Sequence, residues 1–448
     1  MQSMTAERMD QKNEIAQRLA NKIKTGQYQA AVVGLGYVGL PLAVAFGEGG
    51  VPTVGIDISA ERVGEIRAGR SCTPDVPHDT VQALVKARRL SASNDYAALA
   101  SADCVSICVP TPLGKSKDPD ISFIVNATEA MLPYLHAGML IVLESTTYPG
   151  TTRDIVVPRV EARGFTVGKD IFVAFSPERV DPGNQKFHIK NTPKVIGGIT
   201  RTCGELAALH YGRAVEKVVA VSSAEAAEMA KLLENTFRAI NIGLVNELAI
   251  VCEKLNLDVW EIIDAASTKP FGFMPFRPGP GLGGHCIPID PLYLTWKMRS
   301  LNYKVRFIDL ADEINSSMPE YVVRKAGLYL NDLGKALKGA RVLALGVAYK
   351  RDISDIRESP ALDVIKELRH LGAQVSYADP FVPELLVHGA PVPRFDGRPE
   401  AAAGFDLVLI LTDHSQVDYE AYLKTGVPIL DTRNATGRFP GLGRVRKL

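Results

Sequence analysis

The chain has 448 residues, 46% of them hydrophobic and 23% charged, with a formal net charge of +1. That length exceeds one ordinary core, so two or three domains are expected, and the balanced charge gives no reason to expect nucleic acid or an anionic membrane as a partner. No apolar run is long enough to span a bilayer, and the first 27 residues lack the apolar stretch of a secretion signal. Cysteines stand at 72, 104, 108, 203, 252 and 286, without zinc-finger spacing. A disulfide framework is not expected in so large and core-rich a chain, so a reducing cytoplasm is the plain reading, with no metal site. Cys104 and Cys108 lie in the apolar run ADCVSICVP and read as buried thiols.

In chain order, AAVVGLG at 30–36 is a short buried strand running into glycine. Further strands are predicted at TVGID (53–57), ADCVSICVP (102–110), MLIVLEST (139–146) and IFVAFSP (171–177). Apolar runs of this length between helical stretches describe parallel strands covered on both faces. Residues 1–215 therefore read as a doubly wound α/β domain. Its first turn is Gly34-Leu35-Gly36-Tyr37-Val38-Gly39. The first glycine permits the tight turn, the second lets the backbone approach a pyrophosphate, and the third lets helix and strand pack closely. The following helix would face the phosphates with free N–H groups. Asp57 ends the next strand, where a carboxylate accepts from ribose hydroxyls and repels a 2′-phosphate, which favours NAD over NADP. The alternative is a purely structural glycine turn.

From Ser222 to about Ser267 the chain holds no proline and one glycine, Gly243, and apolar positions recur at three and four. This predicts one long helix or two in close succession, started by Ser222 or Ser223 with acids at 225 and 228. Residues 216–330 then read as a central helical domain offering a dimer surface. Lys231 and Asn235 share one helix face. A solvated face is the ordinary explanation of such a pair. Loop solvation explains Glu178 in FSPERVDPG as simply, and Thr146 in ESTTYPGTT can merely close a strand.

Next comes PGPGLGGHCIPIDP, residues 278–291. Packed helices and strands avoid such a run, because proline lacks a donor and glycine costs backbone entropy. It reads as a shaped loop that presents Cys286. A nicotinamide site plus a presented thiol suggests an alcohol oxidised past the aldehyde to the acid. Residues 331–448 form a second α/β unit, with strands in RVLALGVAYK (341–350), AQVSYADP (373–380), FDLVLILTDH (405–414) and VPILDTRN (427–434). Gly346 lacks the full glycine fingerprint. With Lys350 and Arg357 nearby, the turn suits a nucleotide diphosphate better than a second dinucleotide. The fold class expected is α/β, with two Rossmann-like doubly wound domains joined by a long central helix.

Taken together, GLGYVGLP, the VPTP at 109–112, the SPER at 176–179, the Lys231/Asn235 pair, GGHCIPIDP and YKRDISDIRESP occur in an order that resembles the UDP-glucose/GDP-mannose dehydrogenase family, over residues 30–440. Within it, residues 267–297 look most like the branch that oxidises UDP-N-acetylglucosamine for surface polysaccharides. The resemblance implies a four-electron oxidation of a sugar C6 alcohol to a carboxylate, with two NAD+ reduced in turn. By carry-over, Cys286 captures the C6 aldehyde, Lys231 with Asn235 steadies the oxyanion, and Asp290 positions water or tunes the base. Glu178, as general base, and Thr146 would hold the water that hydrolyses the thioester. Gly34, Gly36, Tyr37, Val38, Gly39, Asp57, Arg62 and Thr111 are the implied NAD contacts. Arg179, Gly283, Lys350 and Arg433 are implied for the UDP-sugar, with Arg277 reaching the substrate of a neighbouring subunit in a homodimer or larger assembly.

Two departures from the family pattern matter. Many UDP-glucose dehydrogenases carry a lysine where this chain has Ile289, which argues against UDP-glucose as first substrate. Arg277 stands where relatives often carry tyrosine. His285, beside the thiol, would lower its pKa if the two side chains met, but neighbours in an extended loop are expected to point apart. UDP-glucose, UDP-N-acetylgalactosamine and UDP-N-acetylmannosamine remain alternative substrates. A two-electron β-hydroxyacid dehydrogenase shares the architecture but needs neither Cys286 nor residues 341–434. A non-enzymatic sensor of NAD or nucleotide sugar would not need every catalytic position filled.

Overall fold

The computed structural model describes residues 13–448 apart from Pro74, 115–117, 181–183, Gln185, His285 and 396–397. The expectation for His285 therefore lies outside the described residues. The chain forms two compact units. One runs to Glu234 and takes in Arg299–Leu301; the other comprises Asn235–Met298 and Asn302–Leu448.

The first unit opens with an amphipathic helix, α1 (Glu14–Thr25), which buries Ala16, Leu19, Ala20 and Ile23. Asn13 caps it by accepting from the Ala16 N–H, and Gly26 ends it in the left-handed conformation. The sheet follows as β1 (Ala30–Val33), β2 (Thr53–Ile56), β3 (Leu90–Ser93), β4 (Cys104–Ile107), β5 (Leu140–Leu143), β6 (Phe172–Phe175), β7 (Lys194–Gly198) and β8 (Val218–Ala220). Spatial order is β3-β2-β1-β4-β5-β6-β7-β8. All pairs are parallel except β6 with β7. Intervening helices are α2 (Gly39–Glu48), α3 (Ala60–Arg67), α4 (His78–Lys86), α5 (Ser122–Met131), α6 (Val157–Glu161) and α7 (Arg201–Tyr211).

Alternate residues of each central strand enter separate cores. Val32, Cys104, Leu140 and Phe172 face one, while Ala31, Val33, Val105 and Ile141 face the other. Side chains of a strand alternate across the sheet, so burial on both faces requires an unbroken apolar run. The runs around β1, β2, β4, β5 and β6 meet that requirement. LSAS and KVIGG, which form β3 and β7, carry polar residues, and VVA, which forms β8, is only three residues long and largely exposed, so sequence reading passed over them. The sheet accordingly continues past residue 215.

The predicted helical stretch divides into α8 (Ala224–Lys254) and α9 (Val259–Ser267). Ser223 supplies the start signal, its Oγ accepting from the Ala226 N–H. Asp258 caps α9 through the Trp260 N–H. Helices α10 (Asp290–Arg299) and α11 (Arg306–Asp332) follow.

The second unit's sheet begins with β9 (Arg341–Leu345), helix α12 (Pro360–His370) and β10 (Gln374–Ala378). A short hairpin, β11 (Leu386–Val387) with β12 (Ala390–Pro391), leads to β13 (Leu407–Ile410), helix α13 (Tyr419–Lys424), β14 (Pro428–Asp431) and β15 (Arg444–Lys447). The order β10-β9-β13-β14-β15 is parallel throughout. Strand β15 reads RVRK and is charged, which hid it from the sequence. Both expected α/β sheets and the long helix are present. Among the described residues no helix is long and apolar enough to cross a membrane.

Candidate active site

The glycine turn after β1 separates structural from vacant positions. Gly34 has φ +92°, and a Cβ there would lie 2.5 Å from the Cys108 carbonyl oxygen. A Cβ on Gly39 would lie 1.7 Å from the Gly34 carbonyl oxygen. These two glycines are demanded by the fold. Gly36 is different, because its Cβ would meet nothing within 4 Å. An open cradle at the second glycine, before the N-terminus of α2, is what a pyrophosphate needs, so these residues fit NAD. Tyr37 is exposed, and Val38 and Thr111 are half-buried at the same strand ends.

Asp57 is buried and does more than wait for a ribose. Its Oδ2 accepts from the Leu35 N–H at 2.8 Å and its Oδ1 from the Ser59 N–H at 2.8 Å. The exposed Arg62 guanidinium stands 3.5 Å from Oδ2. The carboxylate thus locks the glycine turn to the start of α3, a role the sequence did not disclose.

Deeper in this unit lies a buried polar cluster that sequence reading missed. Lys194, at the start of β7, is 3% exposed. Its Nζ meets Glu144 Oε2 at 2.5 Å and Glu178 Oε2 at 3.4 Å. The Tyr211 hydroxyl donates to Glu144, and Ser106 Oγ sits 2.9 Å from that hydroxyl. Glu178 Oε1 accepts from the Arg179 N–H at 2.7 Å and the Val180 N–H at 2.6 Å. Burial holds the Glu144 carboxyl above its ordinary range, against the pull of Lys194. For Lys194 burial acts against the charge, but Glu144 and Glu178 keep the proton on and raise its pKa. Burial also pushes Glu178 up, and the charge of Lys194, the Val180 N–H and the charge of Lys231 more than reverse it. Glu178 is therefore ionised at neutral pH.

Elsewhere in this unit, Thr146 is half-buried after β5, and Lys231 is buried on α8. Arg179 is held by the Pro193 carbonyl oxygen at 2.7 Å and by Glu234 at 2.7 Å. Glu228, one turn before Lys231, accepts from the N–H of Gly150 at 2.6 Å and of Thr152 at 2.9 Å. The Thr152 hydroxyl adds a third bond at 2.7 Å.

In the second unit the described residues of the thiol loop are held at several points. Cys286 is half-buried, and its carbonyl oxygen accepts from the N–H of Ile289 at 3.0 Å and of Asp290 at 2.8 Å. This turn opens α10 at Asp290, a buried carboxylate that accepts from Asn235 Nδ2 on α8. Gly283 and Gly284 lie where a side chain cannot fit, and at Gly279 one would displace the Arg433 guanidinium. A Cβ on Gly279 would sit 2.5 Å from Arg433 Nη1, and one on Gly283 2.8 Å from the Glu358 carbonyl oxygen. Gly284, at φ +94°, lies against the Tyr349 ring. The glycines thus let the loop pack directly on the segment carrying Tyr349 and Lys350 and beneath Arg433. The Gly279 N–H is satisfied by Asn246 Oδ1 at 2.9 Å. Asn246 Nδ2 in turn donates to Asn315 Oδ1 at 2.9 Å, and Asn315 Nδ2 to the Ala239 carbonyl at 3.1 Å.

Arg433 lies 3.4 Å from Asp413, which also binds Arg351. Lys350 is half-buried beside them in the chain. Arg277 is exposed and paired with Asp264 of α9. The second unit therefore gathers Asn235 with Asp290, and the Gly283 loop with Arg433 and the Lys350 segment. The first gathers the glycine turn with Asp57 and Arg62, and Glu178 with Lys194. Cys104 and Cys108 are buried thiols, as expected. Among the described residues no cluster of three metal-ligating side chains occurs.

Comparison with known proteins follows this division of labour. Residues 28–215 match the NAD binding domain of the UDP-glucose/GDP-mannose dehydrogenase family, residues 225–317 its central domain, and residues 343–438 its UDP binding domain. The chain is 37% identical over 391 residues to a UDP-N-acetyl-D-glucosamine 6-dehydrogenase of Pseudomonas aeruginosa, covering 87% of this chain and 91% of that protein. It is 36% identical over 399 residues to a UDP-N-acetyl-D-mannosamine dehydrogenase of Methanococcus maripaludis, covering 87% and 88%. The structure of a UDP-D-ManNAc dehydrogenase from Pyrococcus horikoshii superposes with TM-score 0.84 at 31% identity, covering 94% of this chain and 98% of that one. With all three domains of one family matched in order, this chain belongs to the UDP-glucose/GDP-mannose dehydrogenase family and is an NAD-dependent UDP-sugar dehydrogenase.

Proposed function

We propose that the enzyme oxidises the C6 alcohol of UDP-N-acetylglucosamine to the uronic acid in two steps joined by a covalent bond to Cys286. The observation that carries this reading is a half-buried thiol on a loop whose Gly283 and Gly284 pack against residues 349–360 and whose Gly279 N–H is held by Asn246. NAD+ supplies the hydride acceptor, one molecule for each oxidation. Cys286 adds through Sγ to the C6 aldehyde and forms a thiohemiacetal, so the carbon keeps a hydrogen that a second oxidation can remove. The thioester that results is opened by water, whose proton passes to Glu178 as the Cys286 thiolate leaves.

Lys231 would balance charge developing on the C6 oxygen, with Asn235 beside it. Asp290 accepts from Asn235 and so fixes which way that amide faces. Thr146 would hold the attacking water. Lys350, Arg433 and Gly283 would bind the UDP moiety and sugar, with Arg179 and a neighbouring subunit's Arg277 as further contacts. We also read residues 1–215, 216–330 and 331–448 as three functional domains, the enzyme as cytoplasmic, and its product as a precursor for surface polysaccharide.

A homodimer formed through α8 accounts for an apolar stripe on that helix. Leu233, Phe237, Leu244, Leu248 and Val251 recur at spacings of three, four and seven and are exposed. A soluble helix leaves such a stripe uncovered only where a partner covers it.

UDP-N-acetylmannosamine is the second reading for the sugar, favoured by the mannosamine dehydrogenases among the relatives. Counting NADH per sugar at completion decides. Two NADH from the N-acetylglucosamine substrate support the proposal. Two from the manno sugar alone, or from UDP-glucose alone, keep the chemistry and change the substrate. One NADH from every sugar removes Cys286 from its role.

A further inference from the structure

Glu178 is proposed as the base that deprotonates the hydrolytic water, and what sets its charge and direction is visible within the first unit. Its carboxylate is tied at Oε1 by the N–H groups of Arg179 and Val180, which leaves Oε2 toward Lys194 at 3.4 Å. Lys194 arises from the start of β7, and Glu144 directly follows β5, the two strands that flank β6 in the sheet. Their ion pair is almost wholly removed from solvent, with side chains 4% and 0% exposed. Ser106 from β4 and Tyr211 from α7 complete the far side of Glu144, and the Lys194 ammonium lies 5.4 Å from the Tyr211 ring centre.

Buried ion pairs of this kind often stabilise less than an apolar filling of equal volume. A fold has little reason to sink three charged groups here for stability alone. We propose that Lys194, held by Glu144, is a positioning residue for hydrolysis: it fixes the direction and the charge of the Glu178 carboxylate. This rests on the reading of Glu178 as the base.

The charged and titratable groups facing Glu178 give the inference a sign. Lys194 from β7 and Lys231 from α8 favour its ionised form. Glu144 from β5 opposes it, as the raised pKa of Glu144 beside Glu178 records from the other side. Cys108, after β4, lies within reach of all three and is held neutral by burial. Removing the Lys194 charge must therefore make Glu178 easier to protonate. Glu144, whose pKa is raised, is already neutral at the lower pH where Glu178 takes its proton, so replacing it by glutamine removes no charge there. A purely structural pair would give the loss of Lys194 a shift of no particular sign.

The test is the pH dependence of hydrolysis measured directly. In a single turnover with UDP-N-acetylglucosamine and NAD+, intact-mass spectrometry follows decay of the Cys286 acyl-enzyme. Lys194→Gln is expected to move the acid limb of that decay upward by about one pH unit, which slows decay roughly tenfold along the limb. Glu144→Gln should leave it nearly in place, because Glu144 is already neutral there, and Lys194→Arg should restore the wild-type limb. If Lys194→Gln does not fold, Lys194→Met takes its place with the same expected upward shift. An acid limb unmoved or moved downward on loss of the Lys194 charge overturns the inference.

Glu178→Gln reports on the reading beneath it. Slow decay in that variant with an unmoved limb in Lys194→Gln sinks only the role of Lys194. Decay at the wild-type rate in Glu178→Gln, or no acyl-enzyme in any variant, sinks the base assignment and the inference with it.

Discussion

Asp57 and Asp379 hold the same place in two different sheets. Each stands just beyond the second strand of its unit, and each accepts with Oδ2 from the N–H that follows a glycine turn, Leu35 at 2.8 Å and Val347 at 2.7 Å. Each then accepts with Oδ1 from the residue two further on, Ser59 at 2.8 Å and Phe381 at 2.8 Å. The two Rossmann-like units thus repeat one bonding pattern that their sequences scarcely repeat. They part at the next partner. Asp57 faces the exposed Arg62, whereas Asp379 is capped by buried His414, whose Nε2 lies 2.9 Å from Oδ2. The Asp352 N–H donates to His414 Nδ1 at 2.9 Å, so Nε2 carries the proton toward Asp379. That carboxylate is thus covered by a buried imidazole in the unit whose residues 343–438 match a UDP binding domain.

Gly36 and Gly39 should fail differently when changed to alanine. Gly36→Ala is expected to alter stability by less than about 0.5 kcal/mol, because its Cβ enters open space. Its apparent affinity for NAD should still fall tenfold or so, about 1.4 kcal/mol, by crowding the pyrophosphate. Gly39→Ala should destabilise by about 3 kcal/mol or more, since a Cβ there overlaps the Gly34 carbonyl. Thermal melts and NAD titration of both variants check this; loss of stability in Gly36→Ala would remove the cradle argument.

The Asn246–Asn315 relay should be felt at the thiol loop. Asn246→Leu strands the Gly279 N–H, and Asn315→Leu strands one Asn246 donor, each costing about 1–3 kcal/mol. The double variant should cost less than the sum of the two, because both act on one network. Denaturant unfolding of the three proteins measures that coupling, and strict additivity would mean the relay does not act as a unit.

Cys286→Ser should cut turnover roughly 10³-fold or more while leaving NAD binding intact, because on the proposed route the thiol acts only after the first oxidation. Steady-state NADH production with equilibrium NAD titration separates the two effects. Wild-type turnover in this variant is incompatible with a covalent route.

Glu228 should make stability depend on pH. Burial pushes its carboxyl from 4.5 up to about 7, outweighing the N–H donors of Thr152 and Gly150. The native state therefore holds a proton that the unfolded chain releases between these values. The resulting stability is complete below about 4.5 and is lost as pH rises through about 7. The loss amounts to roughly 3 kcal/mol. Unfolding free energies at pH 5 and pH 8 should differ by that much more in the wild type than in Glu228→Gln. Equal slopes would show that the three donors keep the carboxylate charged throughout.

Leu244→Glu should abolish the homodimer proposed through α8, by placing a charge in the middle of its apolar stripe. Light scattering after size exclusion gives the mass. An unchanged dimer would put the interface elsewhere on the chain.

Sequence by itself was sufficient wherever the signal lies in neighbouring residues. The apolar runs of β1, β2, β4, β5 and β6, the glycine fingerprint, the Lys231/Asn235 spacing and the thiol loop are all local, because strand burial, turn geometry and helix periodicity each act within a few positions. Ordered together along the chain, they were enough to indicate the family. Tertiary structure alone decided the polar pairs that hold these pieces in place. Glu144 meets Lys194 across 50 residues, Asn246 meets Asn315 across 69, and Asp379 meets His414 across 35. Such pairs obey no period, and an isolated buried glutamate or asparagine reads in sequence like any solvated one. The short strands β3, β7, β8 and β15 stayed hidden for a related reason: position in the sheet, and not apolar content, makes them strands. Folding supplies both, because desolvation makes a buried polar group seek its partner wherever the chain brings one.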